Sequence, residues 1–211
     1  RKHVDINRYL DDLHDWDKTV GSKSRIQHDH AMLFTRHNLH QLLLRNDSIV
    51  GLSFTGNVCD KGKRVSIVET GDYFRTTATA AHELGHNLGA DHDGEDNATA
   101  CKAEDSFIMA PYYATFDPAK PYSRNPWIFS NCSVELFKKT CKNKKCLKNK
   151  GGVFNSTEWT QYTMSLPGEV DTPDKQCEFI NGHGSDFCGV ISADICLFMK
   201  CTDPATKQCM T

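Results

Sequence analysis

With 211 residues, the chain has room for one domain of ordinary size and a small second one. A formal net charge of −2 gives neither nucleic acid nor an anionic membrane an electrostatic hold, and no apolar run is long enough to span a bilayer. Ten cysteines, half of them after residue 176 and with no paired Cys-x-x-Cys, read as the disulfide framework of a secreted protein rather than a zinc cluster. Sequons at Asn46, Asn97, Asn131 and Asn155 suit the same compartment. No signal peptide stands at Arg1, so any targeting segment is removed or lies outside the sequence.

In chain order, residues 3–20 put Ile6, Leu10, Leu13, Trp16 and Val20 at helical spacing with acids between them, which predicts an amphipathic helix. Three strands follow: residues 28–35, 48–54 and 64–68, with Gly56 and Lys61-Gly62-Lys63 as turn signals. His28 and His30 flank Asp29, and strand alternation sends both imidazoles to one side. No third ligand is apparent, so they are read as structural histidines and not as a second zinc site.

The stretch Thr79–Asp93, TAAHELGHNLGADHD, carries the chemistry. His82 and His86 are four apart on a predicted helix and so share one face. Glu83 stands beside the first ligand without being one. Gly89 can take a positive φ, end the helix and return His92 as a third ligand. Three protein ligands with one open position make the catalytic arrangement for zinc, not the structural one. Met109, in Ser-Phe-Ile-Met-Ala-Pro, lies seventeen residues beyond His92 and completes the pattern HExxHxxGxxH with a methionine turn.

These residues, with Asp93 after the third histidine, resemble the adamalysin (reprolysin) branch of the metzincins, which includes the ADAM and ADAMTS proteases and snake-venom metalloproteases. The resemblance implies an α+β catalytic domain, a twisted mixed sheet with an active-site helix, over residues 1–153. It also implies a secreted zinc endopeptidase in which zinc sits on His82, His86 and His92 and Glu83 is the general base. Met109 would pack beneath the metal and Asp93 would anchor the loop after His92. Gly51 and Leu52 on the edge strand and Ala110 and Pro111 opposite would line the substrate cleft, where an extended peptide adds to the sheet. Calcium on Asp29, Cys146 and Asn149 is a further implication, as are the disulfides Cys59–Cys146 and Cys101–Cys132.

After the methionine turn, Phe129-Ser-Asn-Cys-Ser opens a helix with Ser133 as its N-cap. Seven lysines between residues 138 and 150 read as a solvated helix end and linker rather than a polyanion site. From Ser165 the sequence resembles the start of the disintegrin-like domain of ADAMTS proteins, which implies a second, small domain over residues 154–211 with Cys177–Cys201 and Cys188–Cys209 paired. Cys141 and Cys196 are left to pair with each other or with chain outside the sequence. No Arg-Gly-Asp occurs. Because the resemblance places strands before the first helix, an N-terminal segment covering the sheet edge is expected, removed or held as a separate chain. The partner expected is a protein or peptide substrate, with the protein a monomer. The competing reading is a non-catalytic secreted fragment that binds through its disintegrin-like tail.

Overall fold

Asp5 decides where the first helix begins. Its backbone is extended, and its carboxylate accepts a hydrogen bond from the Asn7 N–H at 3.0 Å, capping α1 (Ile6–Thr19). The three residues before the helix, predicted to belong to it, form a strand instead: β1 (His3–Asp5). In the computed structural model, which describes residues 3–23, 27–42, 48–71, 73–112, 125–148, 170–191 and 199–210, the chain divides into two compact units, Arg1–Lys150 and Gly151–Thr211.

The first unit holds β2 (Ala31–Thr35), β3 (Asn38–His40), β4 (Gly51–Ser53), β5 (Val65–Glu69), α2 (Tyr73–Asn87) and α3 (Asn131–Cys141). β1 pairs in parallel with β3, Val4 opposite Leu39. The main sheet has the order β2-β5-β4, with β5 parallel to β2 and antiparallel to β4. β5 is central, and Val65, Ser66, Ile67 and Val68 are all buried, as a strand covered on both faces should be; the Ser66 hydroxyl is hydrogen-bonded to His30. Ile6 and Leu10 of α1 meet Leu39, Val65 and Ile67 in one core, each worth about 1.5–3 kcal/mol of burial. Tyr9, Leu13 and Phe54 pack around it.

A buried acid ties α1 to the turn before β5. Asp17 is fully buried and accepts hydrogen bonds from the Gly62 N–H at 2.6 Å, Arg64 Nε at 3.1 Å and His28 Nε2 at 2.7 Å. Burial raises the Asp17 pKa, but the bonds from Arg64, Gly62 and His28 outweigh it and hold the carboxyl below its ordinary range.

α3 is capped by Ser130, not Ser133. Ser130 Oγ accepts from the Ser133 N–H at 3.1 Å, and Ser133 lies buried one turn inside. Disulfides Cys59–Cys146 and Cys101–Cys132 fasten the loops of this unit, and Cys141 carries a free thiol among the described residues. Of the basic run, Lys144 pairs with Asp60 at 2.7 Å and Lys148 donates to the Lys142 carbonyl near the helix end.

The second unit, by itself, shows one helix of several turns and two disulfide staples among its described residues. α4 (Pro173–Asn181) starts at Thr172 with proline in its first turn, and Cys177–Cys201 and Cys188–Cys209 close the rest. Its buried apolar residues among those described are Cys177 and Cys201, so sulfur fills the place aliphatic side chains hold in the first unit. Among the described residues no helix is long and apolar enough to cross a membrane.

Candidate metal centre

The last turns of α2 put His82, Glu83 and His86 on the side facing β4. The helix then stops in a Schellman arrangement: the Gly89 N–H bonds to the His86 carbonyl at 2.8 Å and the Ala90 N–H to the Gly85 carbonyl at 3.0 Å. Gly89 has φ +105°, and a side chain there would run into Thr140 of α3. The reversal carries His92 back over the helix end.

The three imidazoles converge. His92 Nε2 lies 3.2 Å from both His82 Nε2 and His86 Nε2. Three nitrogens holding zinc tetrahedrally at 2.0–2.1 Å would stand about 3.3 Å apart. The outer nitrogens fix which atom faces inward. His82 Nδ1 donates to the Ile108 carbonyl at 2.7 Å and His86 Nδ1 to the Ala90 carbonyl at 2.8 Å. A carbonyl can only accept, so each Nδ1 carries the proton and each Nε2 presents a lone pair. Burial first, then the neighbouring His86, pushes the His82 pKa down to about 3, and burial lowers His86 as well. Neutral donors of the right kind and spacing thus face one point, and the residues fit a zinc ion.

Glu83 lies beside that point, 5% exposed, with Oε2 lacking a hydrogen-bond partner among the described residues. Burial raises its pKa to about 8. Gly51 of β4 makes the room: a Cβ there would run into Glu83 Oε1. Gly51, expected to line the cleft, is therefore also the wall against which Glu83 rests. The cleft itself, about 880 Å³, runs between β4, including Gly51 and Leu52, and the segment of Ala110 and Pro111. β4 is the edge of its sheet among the described residues, so its outer backbone faces the cleft side free of strand pairing.

Met109 is fully buried, its sulfur occupying the space where a side chain on Gly85 would project. Asp93 is buried too. Its N–H bonds to the Met109 carbonyl at 2.9 Å, and its carboxylate accepts from Ser130 Oγ at 2.6 Å. It thus links the ligand loop, the methionine turn and the cap of α3.

The residues expected to hold calcium are brought together only in part. An Asp29 carboxylate oxygen lies within 4.8 Å of the bonded Cys59 and Cys146 sulfurs; the ligand expected from Cys146 is its main-chain carbonyl, which that disulfide does not occupy. Asn149 and Cys196 lie outside the described residues. Two contributors escaped the sequence reading, Ser130 and Glu95. Glu95 Oε2 lies 3.1 Å from His92 Nδ1; an acid three residues after a ligand histidine was the available signal.

The profile of the "Reprolysin (M12B) family zinc metalloprotease" matches residues 2–151. The chain belongs to the reprolysin family. It is 33% identical over 189 residues to human "A disintegrin and metalloproteinase with thrombospondin motifs 20", covering 87% of this chain and 9% of that protein. It is 26% identical over 215 residues to the mouse protein named with motifs 10, covering 96% and 18%. The chain thus spans less than a fifth of the length of these curated relatives. Among solved structures, metalloproteinase-II from Bacteroides fragilis overlaps 64% of this chain and 34% of its own at 16% identity, with a TM-score of 0.37. Reprolysin membership, together with the β2-β5-β4 sheet and the α2 helix beside it, makes the first unit a metzincin domain of a zinc-dependent protease family.

Proposed function

We propose that this reprolysin chain is a secreted zinc endopeptidase that cuts extracellular or plasma proteins. The observation that carries this is the convergence of three Nε2 lone pairs beside a buried carboxylate at the floor of a cleft. Zinc bound by His82, His86 and His92 supplies Lewis acidity toward water and a peptide carbonyl.

The chain's own residues do the rest. The edge of β4, unpaired among the described residues, offers backbone donors and acceptors to an extended substrate, which settles the scissile bond over Glu83. Glu83 takes one proton from the attacking water as its oxygen bonds to the carbonyl carbon. The same carboxyl then gives that proton to the amide nitrogen as the C–N bond breaks, which leaves a new carboxyl and a free amine. Gly51 and the walls around Glu83 keep bulk water from its carboxylate, so its basicity rises. Disulfide density in both units supports an oxidising, extracellular setting.

The test is cleavage of an unfolded generic protein, before and after chelation and after zinc is restored, by the wild type and Glu83→Ala. The proposal expects activity that follows zinc, and a variant that keeps its metal but loses about 10²–10⁴-fold in turnover. Near-wild-type turnover by Glu83→Ala overturns the mechanism. A chain that binds proteins but never cleaves them would favour the non-catalytic reading.

A further inference from the structure

The three ligand histidines are not held alike. His82 and His86 give their outer N–H to main-chain carbonyls, those of Ile108 and Ala90. His92 gives its outer N–H to a side chain, the Glu95 carboxylate at 3.1 Å. We propose that Glu95 is a positioning residue for the metal centre. It fixes the His92 ring with Nε2 inward and raises the electron density that nitrogen offers to zinc. This rests on the zinc reading of the site and deepens it.

The placement of Glu95 is built by the loop rather than left to a surface rotamer alone. The Glu95 N–H bonds to the His92 carbonyl at 3.0 Å, closing a turn through Asp93 and Gly94, where φ is +92°. The Ala98 N–H bonds to the Glu95 carbonyl at 2.7 Å, and the Gly94 N–H to the Ala98 carbonyl at 3.1 Å. Asp93 pins the middle of the turn to Met109 and Ser130. Both sides of Glu95 are thus tied down, and its side chain folds back over the ring three residues earlier.

An ion pair this exposed (side chains 30% and 55% accessible) adds little to folding. A carboxylate on the far nitrogen of a metal-bound histidine, by contrast, commonly changes metal affinity 10–100-fold. The two roles therefore separate by experiment. Asp91 is the control. It is an acid next to His92 in sequence, but its carboxylate is spent on the Asn97 backbone N–H and side-chain amide at 3.3 and 2.8 Å, and no hydrogen bond joins it to a ligand ring.

Zinc affinity is measured by competition with a chromophoric chelator for the wild type, Glu95→Ala, Glu95→Gln and Asp91→Asn. Thermal unfolding of each zinc-free chain is recorded alongside. The expected result is a loss of about tenfold for Glu95→Ala and a smaller loss for Glu95→Gln, whose carbonyl oxygen still accepts but carries no charge. Asp91→Asn should stay within about twofold, and the zinc-free unfolding midpoints should coincide. Equal affinity of Glu95→Ala and wild type overturns the proposal. So does an Asp91→Asn loss as large as that of Glu95→Gln, since the effect would then be general electrostatics. A wild-type chain that takes up no zinc fails the metal-centre reading itself, and that titration alone identifies the failure.

Discussion

Two histidine clusters in the same unit look alike in sequence and end in opposite roles. His28 and His30 bracket an acid, and His82 and His86 bracket one face of a helical turn. In the second cluster the outer nitrogens meet carbonyl acceptors, and the inner lone pairs face one another at 3.2 Å across His92. In the first, both nitrogens of His30 and Nε2 of His28 are spent inside the protein. His30 lies between Asn87 Oδ1 and Ser66 Oγ, each at 2.9 Å, and His28 Nε2 is bound to the buried Asp17. Asn87 gives its own N–H groups to the Phe54 and Lys63 carbonyls, so its oxygen must face His30 and accept from Nδ1. Ser66 then donates to Nε2, and no lone pair of His30 remains for a metal. A histidine becomes a ligand when its second nitrogen is held by an acceptor and its first is left without a donor. The residue type alone does not decide it.

Substitutions that separate the clusters should do so by amounts that fall in a definite order. The largest belongs to the structural cluster. Asp17→Ala leaves the Arg64 guanidinium and the Gly62 N–H without their acceptor and should cost about 3–5 kcal/mol in urea unfolding, with zinc affinity unchanged in the fraction that folds. Loss of zinc affinity in step with stability would blur the division. Next is Gly51→Ala. Its Cβ would displace Glu83, so turnover should drop about 10–100-fold while one zinc stays bound. Wild-type kcat would mean that the carboxylate has slack the geometry denies it. His30→Leu strands Asn87 Oδ1 and Ser66 Oγ in the interior and should destabilise by about 1–3 kcal/mol, without loss of metal.

The smallest effect is in the pH dependence. Burial first, and then His28, lower the His30 pKa, although Asn87 opposes the shift. The unfolded chain therefore binds a proton at His30 before the folded chain does, as pH falls through about 6.5. The contribution of His30 to the stability of the zinc-free protein should decline below that pH; His82 and His86 act in the same direction and Glu83, with its raised pKa, in the opposite one. His30→Gln should make the decline shallower, as read from urea midpoints at about pH 7.5 and 5.5. Asp17 acts at the other end. Its pKa is depressed in the fold, so its contribution is complete above about pH 4 and disappears only as pH falls through the folded value. An unchanged slope in His30→Gln would remove His30 from the account.

The three converging histidines were legible because spacing alone constrains them: four residues on a helix, then a glycine reversal. The three strands of the main sheet were legible from apolar runs. β1 and β3 were not, since three residues each hold too little periodicity to see, and the pairing of His3 with Asn38 spans thirty-five positions. Asp5 and Ser130 show the limit for caps. In Phe-Ser-Asn-Cys-Ser either serine can cap a helix, and the buried Asp93 carboxylate, far away in sequence, holds Ser130 in place. Asp17 sits in a run of acids that reads as a solvated face, and only Arg64 and Gly62, brought in by the fold, make its burial tolerable. The calcium expectation rested on resemblance, and its third residue, Asn149, is not among those described.

The most direct measurement is zinc stoichiometry by equilibrium dialysis and elemental analysis on three proteins: the wild type, a variant with His82, His86 and His92 all changed to alanine, and a variant with His28 and His30 changed to alanine. The account predicts one zinc in the wild type, none in the first variant, and one in the second even where that variant is less stable. Zinc retained without the three converging histidines, or lost from a folded protein when His28 and His30 are removed, would contradict it.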